Sequence, residues 1–233
     1  MGDIERLTQL IVMTTGSNPQ SQQAKALELI RRMINHGDLA AGTMLSENQL
    51  ATKLHMSRTP VRAALAVLER EGLVETLPQR GVRVRKIPHE EMREIFVLRK
   101  EIETLVATEL AKTTRDVTSL DKNIEKTEKA AGAHDEYEFL EVSTEFHYLI
   151  AKAAGFLQAA GLLETLRSRL RLLGIQMAKE EGYMTRAITE HRGIRDAIAA
   201  GDLEGVERLM KTHLDHTYDG LARAASQLDA NKD

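Results

Sequence analysis

The sequence predicts a mainly α-helical protein of two domains: a small N-terminal one with a β-hairpin, then an antiparallel all-α bundle of about six helices. Helical and hairpin patterns alternate between residues 21 and 88, whereas only helical periodicity follows Pro88. Up to Pro88 the chain has 12 Lys and Arg against 8 Asp and Glu, and the remainder carries a net charge of −7. This asymmetry indicates different partners for the two domains, with any nucleic acid reserved to the first.

Composition narrows the class of protein further. The 233 residues include no cysteine, which excludes disulfides and thiolate metal sites and is consistent with a reducing cytoplasm. Apolar runs such as Leu10–Met13 are far shorter than the roughly 20 residues of a membrane span. We therefore expect a cytoplasmic protein without a membrane partner, divided into a flexible tail over 1–20, a first domain over 21–88 and a helical domain over 89–229.

The first domain is expected to begin with two helices. From Ser21 to Ile34 apolar residues recur at the period of an amphipathic helix. Met44–Leu45 predicts a very short strand. Ser46 lies three residues ahead of Gln49, the spacing of a capping box, and predicts the start of a second, short helix.

A third helix and a hairpin complete this domain. Ser57 is expected to cap a helix in which Arg58 and Arg62, four residues apart, share one face. The buried stripe of that helix is predicted to be Val61, Ala64, Leu65 and Leu68. Strands at 73–77 and 82–85 should flank a turn with a basic tip. Helix, turn, helix and basic hairpin in this order are typical of a winged helix-turn-helix, which presents arginines to the DNA major groove, so we favour DNA contacts over merely solvated charges.

These residues also carry a family resemblance. The pattern comprises Gly37-Asp38-Leu39, Gly42, Leu45-Ser46-Glu47, Leu50-Ala51, Leu54, Ser57 to Arg62, Ala64-Leu65, Leu68, Glu71 to Val74, Arg80-Gly81 and Val84. It closely resembles the winged-helix domain of the GntR family of bacterial transcription regulators. The resemblance implies that a homodimer binds double-stranded operator DNA.

The resemblance also assigns roles to single residues. It implies that Arg58 and Arg62 read bases, that Ser57 and Thr59 contact phosphates, and that Arg80 and Gly81 of the wing reach the minor groove. Some members of the family carry an arginine where this chain has Asn48, so operator preference is expected to differ.

The second domain is predicted to consist of helices joined by short loops, which place consecutive helices side by side. The predicted helices span 89–112, 117–132, 135–154, 156–180, 185–200 and 203–227. His191 and His213 lie on the apolar stripes of the last two, 10 residues before and 12 after Gly201, so they should be nearly level along antiparallel helices. His147 lies at the margin of the stripe of the third helix and is a plausible third member of the group.

Three inward-facing histidines on separate helices are compatible with two readings. Each alone is more often a core histidine than a ligand, but together neutral imidazoles suit zinc, nickel and similar ions. Arg99 also falls on an apolar stripe, with Glu103 one turn on. A buried arginine needs an anionic partner, which is either Glu103 in an internal ion pair or the carboxylate of a ligand.

A second resemblance covers nearly all of residues 89–220. Its residues are Leu98-Arg99, Ile102-Glu103, Phe146-His147, Ala153 to Gly155, Glu190-His191, Ile194, Ala197-Ile198, Asp202, Met210 and His213-Leu214. They look like the FCD effector domain of the FadR subfamily, which implies a small organic acid as effector and a divalent metal, zinc or nickel above all, on His147, His191 and His213. The family's acidic metal ligand falls on Ser143 here, so this position is expected to join the ligand site without a carboxylate.

The function that these residues predict is a ligand-responsive transcription regulator, with repression relieved by ligand as the commonest arrangement in the family. A metal-dependent hydrolase or lyase fused to a DNA-binding module is an alternative, in which Glu103 or Glu190 would act as base. Against it, the chain has no H-E-x-x-H motif and no Ser/His/Asp grouping. A constitutive DNA-binding dimer without an effector is a further alternative.

Overall fold

The computed structural model describes residues 19–35 and 38–230, which divide into two compact units between Lys86 and Ile87. The tail predicted over 1–20 lies outside the described residues except for its last two, and Gly37 lies outside them too. None of the helices in the described ranges combines the length and the apolar character that a membrane crossing requires.

The N-terminal unit has three helices and three strands among its described residues. Their bounds are α1 Pro19–Asn35, β1 Met44–Leu45, α2 Glu47–Lys53, α3 Arg58–Arg70, β2 Val74–Leu77 and β3 Gly81–Val84. The strands form one antiparallel sheet in the order β1-β3-β2. The short strand and the hairpin are where the sequence predicts them, to within one residue.

The core of this unit forms where α1 packs against α3. Ile30 and Ile34 of α1 are at most 1% exposed, and Val61 and Leu68 of α3 are fully buried. Because α3 turns this stripe inward, its opposite face, with both predicted base-reading arginines, lies in solvent.

The wing is a tight hairpin. Leu77 pairs with Gly81 across the turn, and the Arg80 amide donates to the Leu77 carbonyl at 3.0 Å. Gln79 and Gly81 adopt positive φ angles of 61° and 96°. Glycine accepts that conformation without strain, so Gly81 permits a sharp turn beside the exposed Arg80.

The C-terminal unit contains seven helices among its described residues. Their bounds are α4 His89–Lys112, α5 Thr118–Gly132, α6 Glu136–Ala153, α7 Leu157–Ser168, α8 Arg171–Ala178, α9 Tyr183–Ala200 and α10 Leu203–Ala230. The single helix predicted over 156–180 is therefore wrong. The chain turns at Arg169 and Leu170, where the Leu170 amide donates to the Arg167 carbonyl, but no Gly or Pro marks the break and the apolar period runs through it.

Helix α6 is central to this bundle and contacts α4, α5, α7, α8 and α9, while α9 and α10 form an antiparallel pair. Gly201, with φ 71°, makes the turn between α9 and α10. The interior is apolar, with Phe146, Ile150 and Ile194 fully buried. The stripes of α6, α9 and α10 therefore converge, which brings their histidines together.

Candidate functional site

The N-terminal end of α3 is the exposed edge of the predicted DNA-binding surface. Ser57 occupies the N-cap position in extended backbone, as predicted, but its side chain makes no capping hydrogen bond. Pro60 holds the third helical position and has no N–H, so one of the usual donors to a serine cap is missing. The cap interaction was thus predicted wrongly, and Ser57, like Thr59, is exposed.

Arg58 and Arg62 project from this surface and share one carboxylate. Glu47, in the first turn of α2, accepts from Arg62 Nε at 3.0 Å and from Arg62 Nη2 at 2.9 Å, and from Arg58 Nη2 at 3.4 Å. The bond from Arg62, together with the charge of both arginines, outweighs the effect of burial and lowers the pKa of Glu47. Sequence periodicity did not single out Glu47, because its partners lie 11 and 15 residues away on another helix.

The wing lies beside this cluster. Arg80 and Gly81 line one concave surface together with Arg58, Glu47 and Asn48. The structure therefore brings the predicted base reader Arg58 and the predicted wing residues to a common face, with Asn48 among them.

His147, His191 and His213 meet inside the C-terminal unit, one each from α6, α9 and α10. Their ring centroids are 4.8–5.1 Å apart, and each ring offers one nitrogen within 4.8 Å of the others. His191 and His213 are level across the Gly201 turn, as the residue count predicts. His147 is not at a margin, since only 3% of it is exposed.

Burial keeps the imidazoles of His147 and His191 neutral. It lowers the pKa of His147 to about 3 and that of His191 well below its usual range. A neutral imidazole has a lone pair available, which is the form that binds a metal ion.

A buried ion pair adjoins His147. Arg99 Nε donates to Glu103 Oε1 at 2.7 Å, and Glu103 Oε2 contacts His147 Nδ1. Burial raises the pKa of Glu103, but Arg99 and His147 together outweigh it and hold that pKa well below its usual range. Arg99 thus forms the internal ion pair with Glu103, and its guanidinium also lies 4.7 Å from the centre of the Phe96 ring.

A second carboxylate supports His213. Glu190 Oε2 contacts His213 Nδ1 at 2.7 Å, and its other oxygen contacts Nδ1 of the exposed His216 at 2.6 Å. Both carboxylates thus engage Nδ1 of a cluster histidine, which leaves Nε2 with the lone pair in the neutral ring. The sequence predicts Glu103 and Glu190 only as an ion-pair partner or a base, because their contacts with His147 and His213 depend on how the helices pack.

His191 is held differently. Its ring stacks on Phe146, with centroids 4.0 Å apart and planes inclined by 6°. Among the described residues neither of its buried nitrogens finds a hydrogen-bond partner. Buried polar atoms without hydrogen-bond partners destabilise a folded protein, so we expect a ligand to bind the His191 ring.

The donor set fits a divalent metal ion. Three imidazoles are common zinc and nickel ligands, and two of them have the carboxylate support usual for metal-bound histidine. The nitrogens would approach to about 3.3 Å of one another in a tetrahedral site with bonds of 2.0–2.1 Å, so a small inward movement is needed. Ser143 lies buried one turn before His147 and brings only a hydroxyl.

Two further polar side chains of this unit are wholly or partly buried. Arg167 is partly buried on α7 and donates to the Thr144 carbonyl, and burial together with the charge of Arg99 lowers its pKa to about 9. Tyr183 is buried at the start of α9, where burial raises its pKa to about 12. Arg167 breaks no sequence pattern, so no signal in the sequence could have found it.

Comparisons with known proteins identify the family of the chain. Residues 22–84 match the model of bacterial regulatory proteins of the gntR family, and residues 94–216 match that of the FCD domain. The HTH-type transcriptional repressor RspR of Escherichia coli K12 is 30% identical over 210 residues, covering 88% of this chain and 91% of that protein. The gluconate operon transcriptional repressor of Bacillus licheniformis is 30% identical over 203 residues, covering 84% and 81%.

A solved structure has the same fold. A GntR protein from Rhodococcus sp. RHA1 superimposes with a TM-score of 0.73 at 24% identity, covering 87% of this chain and 98% of that one. The matched family and the two named relatives are transcription regulators, not enzymes. The chain therefore belongs to the GntR family of DNA-binding transcription regulators, and in its sequence the winged helix-turn-helix is followed by an FCD effector domain.

Proposed function

We propose that this protein is a homodimeric repressor whose operator binding responds to a small organic acid. The acid would bind in the C-terminal unit through a divalent metal ion, zinc or nickel, held by His147, His191 and His213. The observation that carries this proposal is the buried cluster of three imidazoles, in which both nitrogens of His191 have no partner among the described residues.

The DNA-binding half of the proposal rests on exposed arginines. Arg58 and Arg62 would contact base edges in the major groove, with Ser57 and Thr59 on phosphates, while Arg80 and Gly81 would reach the minor groove. A two-fold dimer would place two α3 helices in successive major grooves of a palindromic operator.

The effector half rests on the three buried imidazoles. Nε2 of His147, Nε2 of His213 and one ring nitrogen of His191 would hold the ion. Glu103 and Glu190 would orient the first two rings, and Phe146 would orient the third. When bound, the ion supplies a positive charge to which a carboxylate can bind. Because Ser143 contributes a neutral hydroxyl, the set lacks the fourth, anionic ligand that an effector carboxylate would provide.

The class of effector and the sign of regulation are supported by the relatives. Two of them are named repressors, and the gluconate named in one is itself a carboxylate. Effector and operator would influence each other's affinity by the same factor, as linkage requires.

Elemental analysis of protein purified without added metal or chelator tests the metal site. We expect about one ion per chain in the wild type, none in His191→Ala, and no change in His134→Ala, which alters an exposed histidine. Absence of metal from the wild type would overturn the metal-bound form of the proposal.

The response to effector is tested separately, with organic acids such as gluconate in a DNA retardation assay. We expect at least one carboxylate to weaken operator binding by fivefold or more, the usual lower range for allosteric coupling of about 1 kcal/mol. If no acid changes operator binding although metal is present, the protein is a constitutive DNA-binding dimer, and the proposed response is wrong.

A further inference from the structure

Glu47 is the one carboxylate among the described residues that bonds both predicted base-reading arginines. Its own side chain is 26% exposed, whereas those of Arg58 and Arg62 are 59% and 65% exposed. The carboxylate therefore lies behind the two guanidinium groups, on the protein side of the surface that DNA would meet.

The two arginines are held to different degrees. Arg62 uses Nε and Nη2, so that one edge of its guanidinium is occupied and the edge formed by Nη1 and Nη2 is left to contact DNA. Among the described residues Arg58 makes a single long contact, at 3.4 Å, which a competing acceptor can replace at little cost. Glu47 therefore fixes the orientation of Arg62, whereas Arg58 can exchange its contact with Glu47 for one with DNA.

The charge of Glu47 distinguishes the two kinds of acceptor on DNA. A phosphate that approaches these arginines brings a second negative charge toward the carboxylate, which weakens the contact. The O6 and N7 atoms of guanine accept hydrogen bonds without a formal charge, so the carboxylate does not oppose them. A shared carboxylate thus shifts the arginines from phosphate contacts toward base contacts.

We propose that Glu47 is a specificity-determining positioning residue: it aims Arg62, restrains Arg58 and disfavours phosphate capture, so that the pair bonds guanine edges in preference to the backbone. This inference rests on the proposed role of Arg58 and Arg62. It makes Glu47 a source of discrimination between sequences rather than of overall affinity.

The test uses the full chain and two DNA probes. One is a 30-base-pair duplex carrying the sequence that the wild type selects from a random pool, and the other is a shuffled duplex of the same composition. In Glu47→Gln, we expect affinity for the shuffled duplex to rise about threefold and the selected-to-shuffled ratio to fall about tenfold. The salt dependence on the shuffled duplex should steepen by about one phosphate contact.

The matched control is Glu75→Gln, which removes a carboxylate bonded to Arg83 within the wing hairpin at 2.6 Å. Both variants lose one negative charge from the same unit, but we expect Glu75→Gln to keep the wild-type ratio. Thermal unfolding of both variants separates this role from a structural one, since a stabilising role alone would lower the midpoint without changing the ratio.

An unchanged ratio in Glu47→Gln, or an equal fall in Glu75→Gln, would overturn the inference while leaving the proposed DNA-binding function standing. If the wild type selects no sequence from the pool, the proposed function fails, and this inference fails with it. A lower ratio in Glu47→Gln alone, at an unchanged unfolding midpoint, supports the positioning role.

Discussion

Two arginine–glutamate pairs, one in each unit, have similar contact distances and opposite surroundings. Arg62 and Glu47 meet at 2.9 Å with side chains that are 65% and 26% exposed. Arg99 and Glu103 meet at 2.7 Å with only 4% and 1% exposed. An exposed pair can exchange its partner for another anion, whereas a buried pair cannot dissociate without leaving charge inside the protein. The first pair is therefore suited to recognition, and the second is part of the interior.

The largest loss of stability is expected when one member of the buried pair is removed. We expect Glu103→Ala to lower the free energy of unfolding of the C-terminal unit by about 3–5 kcal/mol, because Arg99 and His147 lose their shared acceptor. Urea denaturation at pH 7, followed by circular dichroism on metal-free protein, measures this. Glu109→Ala, which removes an exposed ion pair with Lys112 from the same helix, is the control and should cost far less. Similar losses in the two variants would contradict the distinction.

Acid should act on the buried cluster through its histidines. The folded-state pKa of His147 is lowered to about 3 from 6.5, so the unfolded chain binds a proton that the folded one refuses as pH falls below 6.5. Stability should therefore decrease as pH falls from 6.5 toward 3, by up to about 4 kcal/mol, in the direction that linkage requires. Below about pH 4.5 Glu103 adds to the decrease, because its carboxylate takes up a proton in the unfolded chain but not in the folded one, where its pKa is lowered. A urea midpoint of the metal-free protein that does not change between pH 7 and 4 would refute this.

The exposed cluster should behave in the opposite way, with an effect on binding and none on folding. We expect Arg58→Ala to weaken binding to the wild-type-selected duplex by about 1–3 kcal/mol, with an unchanged unfolding midpoint. Retardation titrations give the affinity. Arg70→Ala, at the far end of the same helix, serves as control and should lose less selectivity. A loss of stability in Arg58→Ala would mean that this arginine stabilises the fold instead of contacting DNA.

The smallest effect is expected at Glu190, which lies between the two extremes at 17% exposure. Glu190→Gln keeps the shape of the side chain but weakens the acceptor for His213, so affinity for zinc should fall about tenfold. Competition with a fluorescent chelator measures that affinity. His216→Ala removes another partner of Glu190 and should change the zinc affinity less. An equal loss would mean that His216 itself binds the ion.

Periodicity predicted most of this architecture because each helix has one apolar stripe. The level placement of His191 and His213 follows from counting residues to the Gly201 turn, and the burial of Arg99 follows from its place on a stripe. These are properties of a single helix or of a helix pair joined by a short loop.

Contacts between distant segments could not be predicted in this way. Glu47 meets Arg62 from another helix, and Glu190 meets His213 from across a helix pair, so both depend on how helices dock. The break at Arg169 and Leu170 carries no helix-breaking residue, and the missing cap at Ser57 follows from a proline three positions on. Pattern reasoning finds which faces meet, and it does not find which atoms on those faces pair.

The Gly201 turn has a consequence for how this family member can tolerate changes in length. One residue inserted between His191 and the turn would rotate His191 by about 100° relative to His213 and shift it by about 1.5 Å. A larger side chain at Gly201 would meet both the strain of φ 71° and the Arg115 guanidinium, 2.5 Å from where its Cβ would lie. The number of residues from His191 to His213 thus sets the alignment of the two histidines. Natural variation in the length of this domain should be found outside that segment.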